Sequence, residues 1–396
     1  MVRPTIIYLS PFDLLRPRTN QVSDVRFSEG FSQEGCEVHV IAPYVARPDN
    51  IKKEDIPKIY GLESPLHLHF LSKTFKKDIK GHLNALVISL MDLKKVLSIR
   101  RTISRDKKVV IISRHSVLLL PLALLKATLP FLLKNTSIIH WSHDLKTKWS
   151  DRMVYKMSSA LFFTNSSIRE SLLKTIHFPA DRTAITLNPI TEKQAGEQLD
   201  KHSARVHCGL KNQSRPLAVY TGKLGLNYQQ EIIHILEAAG ICKEVDFLLT
   251  GGSPDVVKFW QQFCQERAIQ NVTFTGYLSN YADIRYYQYS ADFLITYYTR
   301  QGHDPRYNLP NKICEYMLTG NIIISPDYPA SADLLHSKNC LFCLPESSEE
   351  LAKVIYYALA HPEICAEKAA VAAREVREIT FRKQAHRLLA FLEDVI

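Results

Sequence analysis

Tyr307-Asn-Leu-Pro310-Asn311-Lys312-Ile-Cys-Glu315-Tyr316-Met-Leu-Thr-Gly320-Asn-Ile-Ile-Ile-Ser325 reads as a punctuated helix running into a buried strand. Proline presets φ and lacks the N–H that a first helical turn would leave unpaired, so Pro310 suits a helix start; Gly320 suits the left-handed residue that ends one. The spacing predicts a helix over about 310–319. Its N-terminus would present unpaired N–H groups and the positive end of a dipole, with Asn311 and Lys312 beside them, a place for a diphosphate. Glu315 lies one turn in, where a carboxylate can accept from a ribose diol. An ordinary capped amphipathic helix before a buried strand would carry the same residues, so the surrounding chain has to decide.

Outward from this stretch, short apolar runs recur with helical segments between most of them. Toward the C-terminus they are Ala218–Gly222, Asp246–Thr250, Val272–Thr275, Phe293–Tyr297, Asn321–Ser325 and Cys340–Leu344. Toward the N-terminus they are Thr5–Ser10, Glu37–Ala42, His67–Leu71, Val109–Ser113, Thr136–His140, Ala160–Thr164 and Ala184–Leu187. Strand, helix, strand in close succession is the βαβ unit of a parallel sheet. Two series of it predict an α/β chain of two Rossmann-like, doubly wound domains, with ligand crevices at the carboxyl ends of their strands. The polar stretch Thr191–Arg215 is the expected linker, giving domains at 1–195 and 213–376. The remaining 377–396 holds a last helix, Phe381–Ile396, expected to cross back onto the first domain.

The chain's 396 residues exceed one ordinary core. Its 46% hydrophobic and 23% charged residues exclude a disordered or fibrous protein. A net charge of +10 calls for an acidic partner: a nucleotide, an anionic membrane surface or nucleic acid. Eight cysteines behind an opening without a secretory pattern fit reduced thiols in the cytoplasm. Cys340 and Cys343 have no second ligand pair nearby and read as small buried hydrophobes rather than a zinc site. Val117–Leu133 is rich in leucine but short for a bilayer and interrupted by Pro121, Lys126 and Pro130, so a buried, broken helix is expected. Around Leu83–Leu93 the stretch 73–108 is strongly basic. It reads either as a solvated face over a buried stripe or as a helix that lies on an anionic membrane.

Five pieces of the C-terminal half, in order, resemble the nucleotide-sugar glycosyltransferases of GT-B fold, in particular the retaining family 4 (group 1) type. They are Thr221-Gly222-Lys223-Leu-Gly225, Leu249-Thr-Gly251-Gly252-Ser253, Val272-Thr-Phe-Thr-Gly276, Tyr289-Ser-Ala-Asp292 and the Pro310–Gly320 stretch. The resemblance implies two facing domains around a central cleft. It implies a donor site of Gly222, Lys223, Gly251, Gly252, Arg306, Asn311, Lys312 and Glu315. The loop after Thr136–His140, His140-Trp-Ser-His143-Asp144, is similar to the stretch these enzymes place beside the reacting sugar carbon. That implies His143 as the catalytic side chain, with Asp144 orienting it or capping the next helix. Arg18 and Asn20, ahead of the first helix, are the expected acceptor-side residues. The sequence departs from the family pattern at Tyr307, where an acidic residue is usual, and at Asn227-Tyr-Gln-Gln230, where a lysine is usual.

The expected activity is transfer of a sugar from a nucleotide-diphosphate sugar to an acceptor hydroxyl, on a glycan or a lipid-linked acceptor. The resemblance implies retention, with no cofactor; the sequence holds no Asp-x-Asp, and no metal is expected. The protein would be cytoplasmic, peripheral at the inner face of the membrane through 73–108, and not a nucleic-acid binder. Two alternatives stay open: an inverting GT-B enzyme, and a non-catalytic nucleotide- or nucleic-acid-binding protein of the same fold.

Overall fold

The computed structural model describes residues 3–15, 19–44, 52–74, 82–146, 148–197, 199–211, 213–226, 229–278, 280–299, 304 and 306–395. The chain divides into two compact units, Met1–Leu187 with Phe381–Ile396, and Asn188–Thr380.

The first unit holds seven parallel strands: β1 Thr5–Leu9, β2 Glu37–Tyr44, β3 His67–Thr74, β4 Val109–Ser113, β5 Thr136–Ser142, β6 Ala160–Phe163 and β7 Thr183–Ile185. Their order is β3-β2-β1-β4-β5-β6-β7. Every residue of β1 and β4 is buried, which is why these strands read as continuous apolar runs rather than alternating ones. Alternate residues nonetheless serve opposite faces. Ile6 and Tyr8 join a core with Phe27, Trp141 and Phe162, while Ile7 and Leu9 join one with Leu118, Leu119 and Ile138.

The C-terminal helix Phe381–Val395 belongs to this unit, burying Leu388, Leu389 and Leu392 in the first of those cores. It lies so close to the Thr19–Gln33 helix that a Cβ at Gly30 would sit 2.7 Å from the Phe381 carbonyl oxygen. Arg382 and His386 on it pair with Glu34 at 2.7 and 2.8 Å.

The second unit holds β8 Leu217–Thr221, β9 Asp246–Thr250, β10 Val272–Gly276, β11 Phe293–Ile295, β12 Ile322–Pro326 and β13 Leu341–Cys343, in the order β10-β9-β8-β11-β12-β13. Both sheets are thus parallel and doubly wound, as the strand pattern predicts. In each, the order reverses once, between β1 and β4 and between β8 and β11, and that reversal is where such sheets open a crevice at the strand ends.

The stretch Thr191–Arg215 departs from expectation. Instead of a linker it carries two helices, Glu192–Gly196 and Lys201–His207, and lies inside the second unit. Its charge is the reason: Lys201 and Arg205 pair with Asp292 at 2.9 and 2.7 Å, and Asp292 also accepts from the Leu217 amide at the start of β8. The division therefore falls after Leu187 and Thr380, not at 195 and 376. Among the described residues, no helix is long and apolar enough to cross a membrane. Ser116–Thr128 and the 3-10 turn Pro130–Leu133 bury only one side, which corrects the expectation of a buried helix there.

Candidate active site

In the second unit the helix expected over 310–319 spans Lys312–Leu318. It starts late because Asn311, though helical in φ and ψ, is the cap, and the Pro310 carbonyl accepts from the Ile313 amide at 3.3 Å. Gly320 takes the expected left-handed conformation, φ +71°. The Lys312 side chain turns inward: Nζ lies 3.8 Å from the centre of the Tyr220 ring and 5.1 Å from that of Tyr298. Among the described residues it is these rings that hold the ammonium, rather than a hydrogen bond or a close ion pair. Burial lowers its pKa, against the pull of the Glu231 and Glu315 carboxylates. Burial likewise raises the pKa of Glu231, whose Oε1 accepts from the Thr299 amide at 3.3 Å.

This cation stands at the switch point of the second sheet. A Cβ on Gly222, just after β8, would lie 3.1 Å from Lys312 Nζ, so backbone and ammonium share one small space. Glu315 Oε2 accepts from Gln288 Nε2 at 2.9 Å, and Gln288 Nε2 also donates to Thr221 Oγ1 at 3.3 Å. The Tyr316 hydroxyl accepts from the Thr221 amide at 2.8 Å. The end of β8 is therefore fixed by the same helix that carries Lys312 and Glu315.

The other predicted donor residues fall into two groups. Gly251 and Gly252, after β9, both have positive φ, and a Cβ on Gly251 would lie 2.0 Å from the Gly222 carbonyl oxygen. Glycine at 251 is thus demanded by the neighbouring backbone. Lys223 and Asn311 are exposed, and Arg306 is engaged by Asp304 at 2.7 Å within its own loop, over the Tyr307 ring. Sequence reading missed Glu231, Gln288 and Tyr298. Gln288 stands one residue before the quoted Tyr289–Asp292 piece, which was the available signal; nothing local marks Glu231.

In the first unit, His143 follows β5. Its ring lies 4.9 Å from that of Trp141 and tilted 49° to it, and its Nε2 is buried without a hydrogen-bond partner. Burial, then Arg114 and Lys146, hold its pKa well below the usual histidine range, so the imidazole is neutral at neutral pH. His140 is wholly buried against Ser116 Oγ at 3.0 Å. Asp144 is exposed and caps nothing, since the next helix starts at Trp149 behind Lys148. Asn20 is exposed in the first helical turn, and Arg18 lies outside the described residues.

At this unit's switch point, between β1 and β4, sits a buried cluster the sequence did not reveal. Arg114 Nε bonds Asp24 Oδ1 at 2.9 Å and the Tyr8 hydroxyl at 3.1 Å, while Tyr8 and Ser10 donate to Asp24 at 2.7 and 2.8 Å. The guanidinium also lies 4.8 Å from the centre of the Trp141 ring. Arg114 and His143 thus both lie against the Trp141 ring.

Residues 215–361 match the family model described as Glycosyl transferases group 1. That match covers β8 to β13 and every side chain of the Lys312 cluster. The chain has the GT-B fold, and its second unit carries the glycosyltransferase match. Solved structures similar to this chain along its whole length include HepE of Anabaena in complex with UDP and glucose, 15% identical, with a TM-score of 0.69 over 98% of this chain and 99% of that one. Sucrose-phosphate synthase from Thermosynechococcus elongatus is 15% identical, with a TM-score of 0.70 over 99% of each chain. The lipopolysaccharide outer core galactosyltransferase WaaB is 13% identical, with a TM-score of 0.70 over 99% of this chain and 100% of that one. No curated protein matches by sequence.

Proposed function

We propose that this glycosyltransferase moves a sugar from a nucleoside-diphosphate sugar to an acceptor hydroxyl, with retention and without a metal ion. The observation that carries the reading is the Lys312 ammonium, desolvated beside the open backbone of Gly222 and held, among the described residues, by aromatic rings rather than a close ion pair. Departure of the nucleoside diphosphate develops negative charge, and a fixed cation in a low-dielectric site stabilises it far more than one in water. Glu315, fixed by Gln288, is placed to accept from a ribose diol. HepE has been solved with UDP and with UDP-glucose, which makes UDP the first donor to try.

The neutral imidazole of His143, with Nε2 buried and unpartnered, suits a hydrogen bond to the transferring sugar rather than a salt link. The acceptor, on this reading, is a glycan or a lipid-linked sugar, met at an anionic membrane surface to which the basic stretch 73–108 contributes.

The decisive experiment is thermal stabilisation of the purified protein by UDP, GDP, ADP, CMP and dTDP, with and without magnesium. Stabilisation by one nucleotide regardless of metal supports the reading; none by any nucleotide defeats it. Product anomer analysis then separates retention from inversion. His143→Ala should lower turnover about tenfold or more with donor affinity unchanged; unchanged turnover removes His143 from the mechanism.

A further inference from the structure

The helices His82–Thr102 and Ser116–Thr128 pack side by side on one face of the first sheet. Ser116–Thr128 buries Leu118, Leu119, Leu122 and Ala123, which turns Val117 and Leu124 outward. Leu86 and Leu90 of the neighbouring helix are 51% and 52% exposed. The Pro130–Leu133 turn then sends only Leu133 inward and leaves Phe131 71% exposed, with Leu129 and Leu132 beside it. This tip is held in place. Arg100 donates to the Lys134 carbonyl at 2.9 Å, tying the turn to the end of the His82–Thr102 helix.

Against the tip lies a depression of about 440 Å³, lined by Pro130, Phe131, Lys108, Lys126 and Lys134 among others. Lys126 reaches Ser159 Oγ at 3.3 Å. Between residues 82 and 138 lysine and arginine outnumber aspartate and glutamate ten to two. Asp92 is buried, so Asp106 is the one acid that faces solvent there. Arg114 is spent on Asp24 and Lys107 on Glu37, but Lys108 and Lys134 are exposed.

We propose that this face docks on an anionic phospholipid bilayer, with Phe131 and Leu132 set at headgroup level and lipid phosphates taken by Lys108, Lys126 and Lys134. An apolar point ringed by cations fits that partner on both counts, burial and charge. A second copy of the chain fits poorly, because a two-fold contact through the tip would set lysines against lysines. The inference rests on the membrane reading above and moves the contact from the 73–108 stretch to the end of the Ser116–Thr128 helix.

Flotation of the full chain with vesicles of phosphatidylcholine, alone or with phosphatidylglycerol, tests it. Wild type should float only with the anionic vesicles. Phe131→Ser with Leu132→Ser should lower binding about tenfold, and Lys108→Gln with Lys134→Gln about twentyfold; both alter exposed side chains and should keep the wild-type melting temperature. Both double variants floating like wild type overturns this surface; if Lys94→Gln with Lys95→Gln then abolishes flotation, the membrane reading itself survives. No flotation of wild type ends both. Displacement from vesicles by inorganic phosphate makes the depression a free-anion site, and a dimer lost in the Phe131 variant assigns the face to a second copy; either result overturns the proposal.

Discussion

At the switch point of the first sheet Arg114 is buried against Asp24, two hydroxyls and an indole; at that of the second, Lys312 is half-buried over two phenol rings, with its carboxylates further off. The strand orders are the same up to one extra strand, so topology alone does not explain the difference. The first site is closed: Asp24 accepts from Tyr8 and Ser10 and is paired with Arg114. The second is receptive, because its cation is desolvated by protein and, among the described residues, is held by rings rather than by a close ion pair. A buried charge that is fully paired serves the fold or positions neighbours, whereas one left to rings is available to a ligand.

The comparison breaks first at Asp24→Asn. Removing one partner strands a buried guanidinium, which costs on the order of 3–5 kcal/mol and should lower the melting temperature by roughly 10 °C; a drop of only a degree or two would mean the first site is not closed. Lys312→Met tests the other half. It should change stability by less than about 1 kcal/mol, since a buried charge gives way to an apolar chain of similar length. It should also weaken nucleotide binding by about 30-fold, the worth of a charge-assisted contact. Calorimetry of folding and of UDP binding on the same variant separates the two effects.

Glu315→Gln should weaken donor binding about tenfold, because an amide oxygen accepts more weakly than a carboxylate. Wild-type affinity in that variant would remove the ribose role. The smallest effect is on pH. In the first unit, His39 Nδ1 and His69 Nε2 lie 2.8 Å apart, and burial lowers both pKa values, that of His69 to about 4. Between the unfolded value of about 6.5 and about 4, the unfolded chain holds more protons, so stability falls as pH falls through that window. Melting curves from pH 7 to 4 should show the decline, and His69→Gln should flatten it.

Much of this was legible in the chain. Thirteen runs mark the thirteen strands of the described residues, to within a few residues at each end; strands covered on both faces, such as β1 and β4, are almost wholly apolar, while the edge strands β3 and β10 alternate. The Thr191–Arg215 stretch was misread because polar residues look like linker until their partner is known, and Asp292 lies far along the chain. Glycines 222, 251 and 252 could be found by motif, but only the coordinates show that 251 answers to the Gly222 carbonyl.

The sequence by itself determined the strand and helix order, the two sheets and the helix between Pro310 and Gly320, because these follow from local propensity and periodicity. Tertiary structure alone decided which charges meet. It turned Lys312 inward onto Tyr220 and Tyr298, set Gln288 on Glu315 and closed Arg114 onto Asp24, pairs that lie 14 to 92 residues apart in sequence and are joined by burial. Desolvation depends on everything packed around a group, and no short stretch of chain encodes that.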